Sequence, residues 1–122
     1  MGPIPLAQGD GSRQLSARDL PTLKKMAERC LKEIVRTKTD NISISKMTDV
    51  NLLPLSLRQK RGAFITVTKQ NKPRSFFGTV PPLKSLYLIV LENTGKAVLY
   101  DSKSTPVTED EIPFLELHIS VL

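Results

Sequence analysis

The last eight residues of the chain constrain its fold more than any other stretch. Leu115, Leu117, Ile119 and Val121 alternate with Glu116, His118 and Ser120. A period of two sorts side chains onto opposite faces only in an extended strand, so this segment is a β-strand with one apolar and one polar face. Such a strand needs a sheet to pair with and a layer to cover its apolar side. Left at an edge, it would invite self-association through its own backbone.

The covering layer is legible upstream. Leu23, Met26, Ala27, Cys30, Leu31 and Ile34 recur at helical spacing, while Lys24, Lys25, Glu28, Arg29, Lys32 and Glu33 occupy the other faces. This predicts an amphipathic helix with an apolar stripe. Asp19 is the expected cap, which places Pro21 in the first turn, where its missing N–H costs little. Cys30 falls on the stripe and reads as a small core residue rather than a reactive thiol. Residues 1–14, with two Pro and three Gly, read as a flexible tail, and 37–56 as a linker with one short extended piece.

Sheet partners come next. Ala63, Ile65 and Val67 alternate with Phe64, Thr66 and Thr68, predicting a strand over 62–68. Residues 69–73 read as a turn and 74–80 as the returning strand of a hairpin. The segment 83–100 supports two readings. Leu86 to Leu91, Asn93-Thr94-Gly95-Lys96 and Ala97 to Tyr100 resemble strand, turn and strand, and local chemistry favours that hairpin. Yet Leu83, Leu86, Tyr87, Val90, Leu91, Thr94, Ala97 and Val98 also satisfy helical spacing, and one glycine costs a helix only about 1 kcal/mol. Thr108 and Glu111 form a capping box that predicts a short helical turn before the final strand.

Composition bounds the partners. At 122 residues, with 39% apolar and 25% charged residues, the chain has the size and make-up of one soluble domain. A single cysteine makes no internal disulfide, no apolar run reaches the ~20 residues of a membrane span, and Met1 to Leu6 has no secretory pattern. The expected setting is the cytoplasm, or the nucleus. Charge is uneven: residues 1–74 carry 15 basic and 6 acidic groups, the remainder 3 and 6. Arg58, Lys60, Arg61, Lys69, Lys72 and Arg74 follow one another with no intervening acid, a basic patch that suits phosphates or simply a solvated hairpin flank. His118, alone on the polar face of the last strand, reads as a surface histidine, and no metal site is expected.

In this order the segments resemble the AMME chromosomal-region domain family, also called protein A of the AmmeMemoRadiSam system. The family's Leu-Thr-Pro-Glu-Glu-like start is loosely matched by Leu15 to Asp19, and its Gly-x-Phe-Val-Thr-Leu strand by Gly62 to Val67. Its hallmark Leu-Arg-Gly-Cys-Ile-Gly corresponds to Pro73 to Gly78. The Asn-Ala helix and the Asp-x-Arg-Phe-x-Pro-Val segment correspond to Asn93-Thr94 and to Asp101 through Val107. The closing Glu-Glu-Leu-x-x-Leu-x-Ile-Glu-Ile-Ser-Val-Leu is matched by Asp110 to Leu122. The resemblance implies an α+β fold over 15–122: an antiparallel sheet packed with the N-terminal amphipathic helix and a second helix at 83–100. It also implies a smaller lobe forming a cleft. Because the family runs well past Ser-Val-Leu, the chain is expected to be its N-terminal portion, truncated or completed by another chain.

The departures bear on function. The hallmark glycine is Ser75 and its cysteine is Phe76, which excludes thiol chemistry there. Lys103 and Ser104 replace an arginine and a phenylalanine, while Arg74, Gly78, Asn93, Asp101 and Pro106 remain. The reading is a binding or regulatory domain without cofactor and without catalysis, and the resemblance implies a Memo-like or radical-SAM protein as partner. Arg74, Ser75, Gly78, Asn93 and Asp101 are the candidate binding residues, with Arg74 anchoring an acidic group and Gly78 admitting another backbone. The alternatives are nucleic-acid binding through the basic hairpin, or a cleft enzyme with Asp101 as base and Arg74 and Asn93 beside it.

Overall fold

The computed structural model describes residues 15, 18–39, 50–100 and 105–122, and every structural statement below concerns these residues. Helix α1 (Asp19–Thr37) is followed by a 3-10 turn (Val50–Leu52) and the one-turn helix α2 (Leu55–Arg58). Strands β1 (Ala63–Lys69) and β2 (Lys72–Thr79) form a hairpin, helix α3 (Leu86–Leu99) crosses back, and a 3-10 helix (Glu109–Phe114) leads into β3 (Leu115–Val121). The fold is α+β, with an antiparallel sheet in the order β2-β1-β3.

The alternation of each strand decides what it buries. Ala63, Ile65, Val67 and Leu117 turn inward and are buried, with Leu115, Phe77, Ile119 and Val121 packed at the margin of the core. Helix α1 contributes the predicted stripe, with Leu23, Ala27, Cys30 and Ile34 essentially sealed from solvent, and α3 packs against both α1 and the sheet. Asp19 is not the cap. Arg18 occupies that position, and the buried Asp19 carboxylate instead accepts a hydrogen bond from Ser56 Oγ at 2.6 Å, tying α1 to α2. The predicted linker is partly helical, with turns at Val50–Leu52 and Leu55–Arg58; residues 40–49 lie outside the described residues.

Helix α3 overturns the local hairpin reading of 83–100. Asn93, Thr94 and Gly95, whose types favour a turn, are buried within it. Their polarity is satisfied in place: Thr94 Oγ1 donates to the Val90 carbonyl at 2.7 Å, and the Asn93 amide bonds the Thr79 hydroxyl at 3.1 Å. Burial of Leu86, Ile89, Val90 and Val98 against the sheet outweighs the small helix penalty of Gly95.

The β1–β2 turn is also shorter than expected. Gln70 and Asn71 alone form the loop, both with positive φ (51° and 67°), as a two-residue hairpin turn matched to strand twist requires. Pairing jumps from Val67↔Ser75 to Thr68↔Pro73, leaving Arg74 as the extra residue of a β-bulge. Gly78 lies opposite Phe64, and a Cβ there would fall inside the Phe64 ring. Gly78→Ala is therefore expected to destabilise the fold by about 1–3 kcal/mol in urea unfolding. The penalty should largely vanish in a Phe64→Ala background; an equal penalty in both backgrounds would disprove the contact as its cause.

Candidate functional site

The bulge at Arg74 has a consequence beyond the hairpin. An extra residue on β2 re-aims its side chain, and the guanidinium reaches the segment that leads into β3. Arg74 Nε and Nη2 donate to the two carboxylate oxygens of Glu111 at 2.7 and 3.0 Å, the fork-to-fork geometry that makes Arg–carboxylate pairs strong. Nη1 and Nη2 donate further to the carbonyls of Thr105 and Pro106 at 2.9 and 3.2 Å. Lys69 Nζ, at the end of β1, adds a bond to Glu111 at 3.1 Å, and the Thr108 backbone N–H adds another at 2.8 Å, completing the predicted capping box.

Glu111 is thus the hub of a network joining both strands of the hairpin to the 105–114 segment. Both side chains of the central pair are nearly enclosed, Arg74 13% and Glu111 10% exposed. The Arg74 guanidinium, chiefly, holds the Glu111 carboxyl well below the usual carboxylate range. Burial pushes the other way and is outweighed, with the Thr108 N–H, Lys69 and the Thr108 hydroxyl adding to the lowering. The acidic group that Arg74 grips is the chain's own, so Arg74 works as an internal clamp.

The other candidate residues lie apart from this hub. Ser75 is buried on the inner face of β2, and its Oγ has no hydrogen-bond partner among the described residues. Asn93 pairs with Thr79, five residues along β2 from Arg74, about 17 Å in an extended strand, so the two do not share a site as the cleft-enzyme reading needs. Asp101, Lys103 and Ser104 lie outside the described residues. The close approach at Gly78 is made by the Phe64 ring, not by a second backbone.

The cations from Arg58 to Arg74 are divided by the length of β1. Lys69, Lys72 and Arg74 sit at the turn end, where two of the three bind Glu111. At the other end Lys60 is exposed beside Ser85, Arg61 Nε donates to the backbone oxygen of Leu122 at 2.8 Å, and Arg58 Nε is enclosed without a hydrogen-bond partner among the described residues.

The outer sheet face holds what sequence reasoning missed. Phe64 and Phe76 stack there with ring centroids 5.5 Å apart and planes 18° from parallel, and Phe76 is 54% exposed. Thr66, Thr68 and His118 share this face, His118 Nε2 lying 3.3 Å from Thr68 Oγ1. The signal was present in the alternation: Phe64 falls on the side opposite Ile65, and Phe76 opposite Phe77. Among the described residues no group of His, Cys, Asp and Glu is arranged to hold a metal ion, and no helix is long and apolar enough to cross a membrane.

Arg74→Ala is expected to cost about 3 kcal/mol of stability, because it leaves the Glu111 carboxylate enclosed and half-paired. Glu111→Gln should cost less, and the double variant less than the sum of the two singles; simple additivity in urea unfolding would disprove the coupling. The sign of the pH effect follows from the lowered Glu111 pKa. Its stabilisation is complete above the unfolded value of about 4.3 and is lost progressively as pH falls below it. Between about pH 5 and pH 3 the wild type should therefore lose more stability than Glu111→Gln. Ser75→Ala, which breaks no hydrogen bond, should be neutral or stabilising in the same assay.

The geometry agrees with what the chain resembles. The AMMECR1 family model matches residues 24–122. A protein of Methanothermobacter thermautotrophicus is 30% identical over 108 residues, covering 88% of this chain and 53% of its own length. The crystal structure of the uncharacterized protein PH0010 from Pyrococcus horikoshii superposes with a TM-score of 0.76 at 21% identity, over 88% of this chain and 52% of that one. The chain therefore spans about half the length of these relatives. On the family match, which takes in most of the chain, it belongs to the AMMECR1 family.

Proposed function

We propose that this chain is a non-catalytic binding domain whose contact surface is the outer face of the sheet, centred on Phe76. One observation carries the reading: Phe76 is 54% exposed yet stacked against Phe64, which itself rests in the space left by Gly78. A preorganised aromatic surrounded by threonines, with His118 nearby, is the composition of a protein-contact hot spot, apolar at its centre and polar around it. Arg74, the other binding candidate, spends its guanidinium on Glu111 and the 105–106 carbonyls.

The partner in this reading is a Memo-like or radical-SAM protein, which the chain serves as an accessory in a cytoplasmic setting. Calorimetric titration of the chain with a purified Memo-like or radical-SAM protein from the same source tests it. Phe76→Asp should weaken binding at least ~tenfold, the scale of a lost aromatic anchor, without altering the circular dichroism spectrum. Equal affinity of wild type and variant would overturn the assignment of the face, and no binding to either protein would overturn the assignment of the partner.

A further inference from the structure

On the helical side of the sheet, away from the aromatic face, α1 and α3 end at a cavity of about 690 Å³. Val35, Leu99, Pro106 and Val107 supply apolar walls, and the volume falls in the range of small-molecule sites. The cavity lies toward the turn end of the sheet, where Arg74 holds the carbonyls of Thr105 and Pro106. Leu122 pairs with Gly62 at the opposite end, so the cavity is remote from the last residue of the sequence. The 106–109 wall is fixed from behind. The Val107 N–H donates to the Val98 carbonyl at 2.9 Å, Arg74 grips the preceding carbonyls, and the Thr108 N–H donates to Glu111. A wall set before a ligand arrives spares binding the cost of ordering it.

Two opposite charges line this cavity without meeting. Lys38 follows the last turn of α1, and Glu109 opens the 3-10 helix. Among the described residues neither side chain makes a hydrogen bond or an ion pair. Each suits its own helix end, a cation after a C-terminus and an acid in a first turn. Helix ends explain the charges, but not the open apolar walls they share. We propose that the cavity takes a small zwitterion with an apolar body, an amino acid or dipeptide of aliphatic or aromatic side chain. Its carboxylate meets Lys38, its ammonium group meets Glu109, and its hydrocarbon covers Val35, Leu99 and Val107. Charge selects this class: a simple acid leaves Glu109 without a counter-charge, and a simple amine leaves Lys38 without one.

Titration of the full chain with L-leucine and with the dipeptide Leu-Leu, followed by amide NMR shifts, tests this. Saturable shifts at Val35, Leu99 and Val107, with none at Phe76, are expected at millimolar ligand, and the tighter of the two binders identifies the length. Isopentylamine and isocaproate, which are leucine without its carboxylate and without its amine, should each bind about fivefold more weakly, the scale of one exposed ion pair. Lys38→Met should weaken leucine about fivefold and leave isopentylamine unchanged. Glu109→Gln should weaken leucine similarly and leave isocaproate unchanged. Both positions are exposed and lie outside the Glu111 hub, so circular dichroism should match the wild type. No saturable shift at the three amides, or variants that weaken leucine and its analogues alike, would overturn the proposal.

Discussion

The structure depends on the enclosure of Glu111 by Arg74, Lys69 and the Thr108 N–H. Strand β3 joins β1 across a separation of more than forty residues, and long-range pairing of that kind must overcome a loop-closure cost before it gains any contact. The hub reduces that cost by fixing the chain immediately before β3. Arg74 holds the carbonyls of Thr105 and Pro106 and the Glu111 carboxylate at once, so the 3-10 helix enters the sheet at a defined height. The Gln70 N–H to Phe114 carbonyl bond then continues the clamp directly into the β1–β3 ladder. Ile65↔Ile119 and Val67↔Leu117 follow from that starting point.

The same hub explains why an arginine in a motif can carry structure rather than chemistry. A guanidinium offers five N–H donors, and four of its contacts here go to acceptors within the chain. Replacing it by lysine would keep the charge but lose the fork, so carbonyls and carboxylate could not be gripped together. The pairing is nearly enclosed, so the cost of taking both charges out of water offsets part of what their attraction contributes.

Much of this was legible in the sequence, and the failures have physical causes. The stripe of α1, the alternation of β1 and β3 and the Thr108–Glu111 box are local patterns, and each is realised within a few residues of its expected place. The residues of α3 leave helix and hairpin both open, because Asn93-Thr94-Gly95 looks like a turn until Thr79 and the Val90 carbonyl are known to satisfy it. Resemblance supplied what local chemistry lacked. Asp19 departs from its expected place as cap for a similar reason: its carboxylate is taken by the hydroxyl of Ser56, 37 residues away. At the candidate site the motif correctly singled out Arg74, but the identity of its acid depends on a bulge at Pro73-Arg74 that no periodicity reveals.

The substitutions at the hallmark become intelligible once their faces are known. Ser75 and Phe76 are neighbours in sequence but point to opposite sides of β2, one into the core and one to the outer face. A hydroxymethyl group in place of a hydrogen atom at the inward position gains no hydrogen bond among the described residues, so Ser75 adds a buried, unpaired polar atom. A phenyl ring at the outward position does the reverse. Phe76 stacks on Phe64, and Phe64 can take that orientation because Gly78 has no side chain, so three positions of the hairpin act as one unit. The resemblance places a thiol where Phe76 stands, and exchanging it for an aromatic removes a nucleophile while adding exposed apolar area held in a fixed geometry. At this one point of the fold an exposed ring, stacked on a neighbouring ring, stands where the resemblance places a thiol.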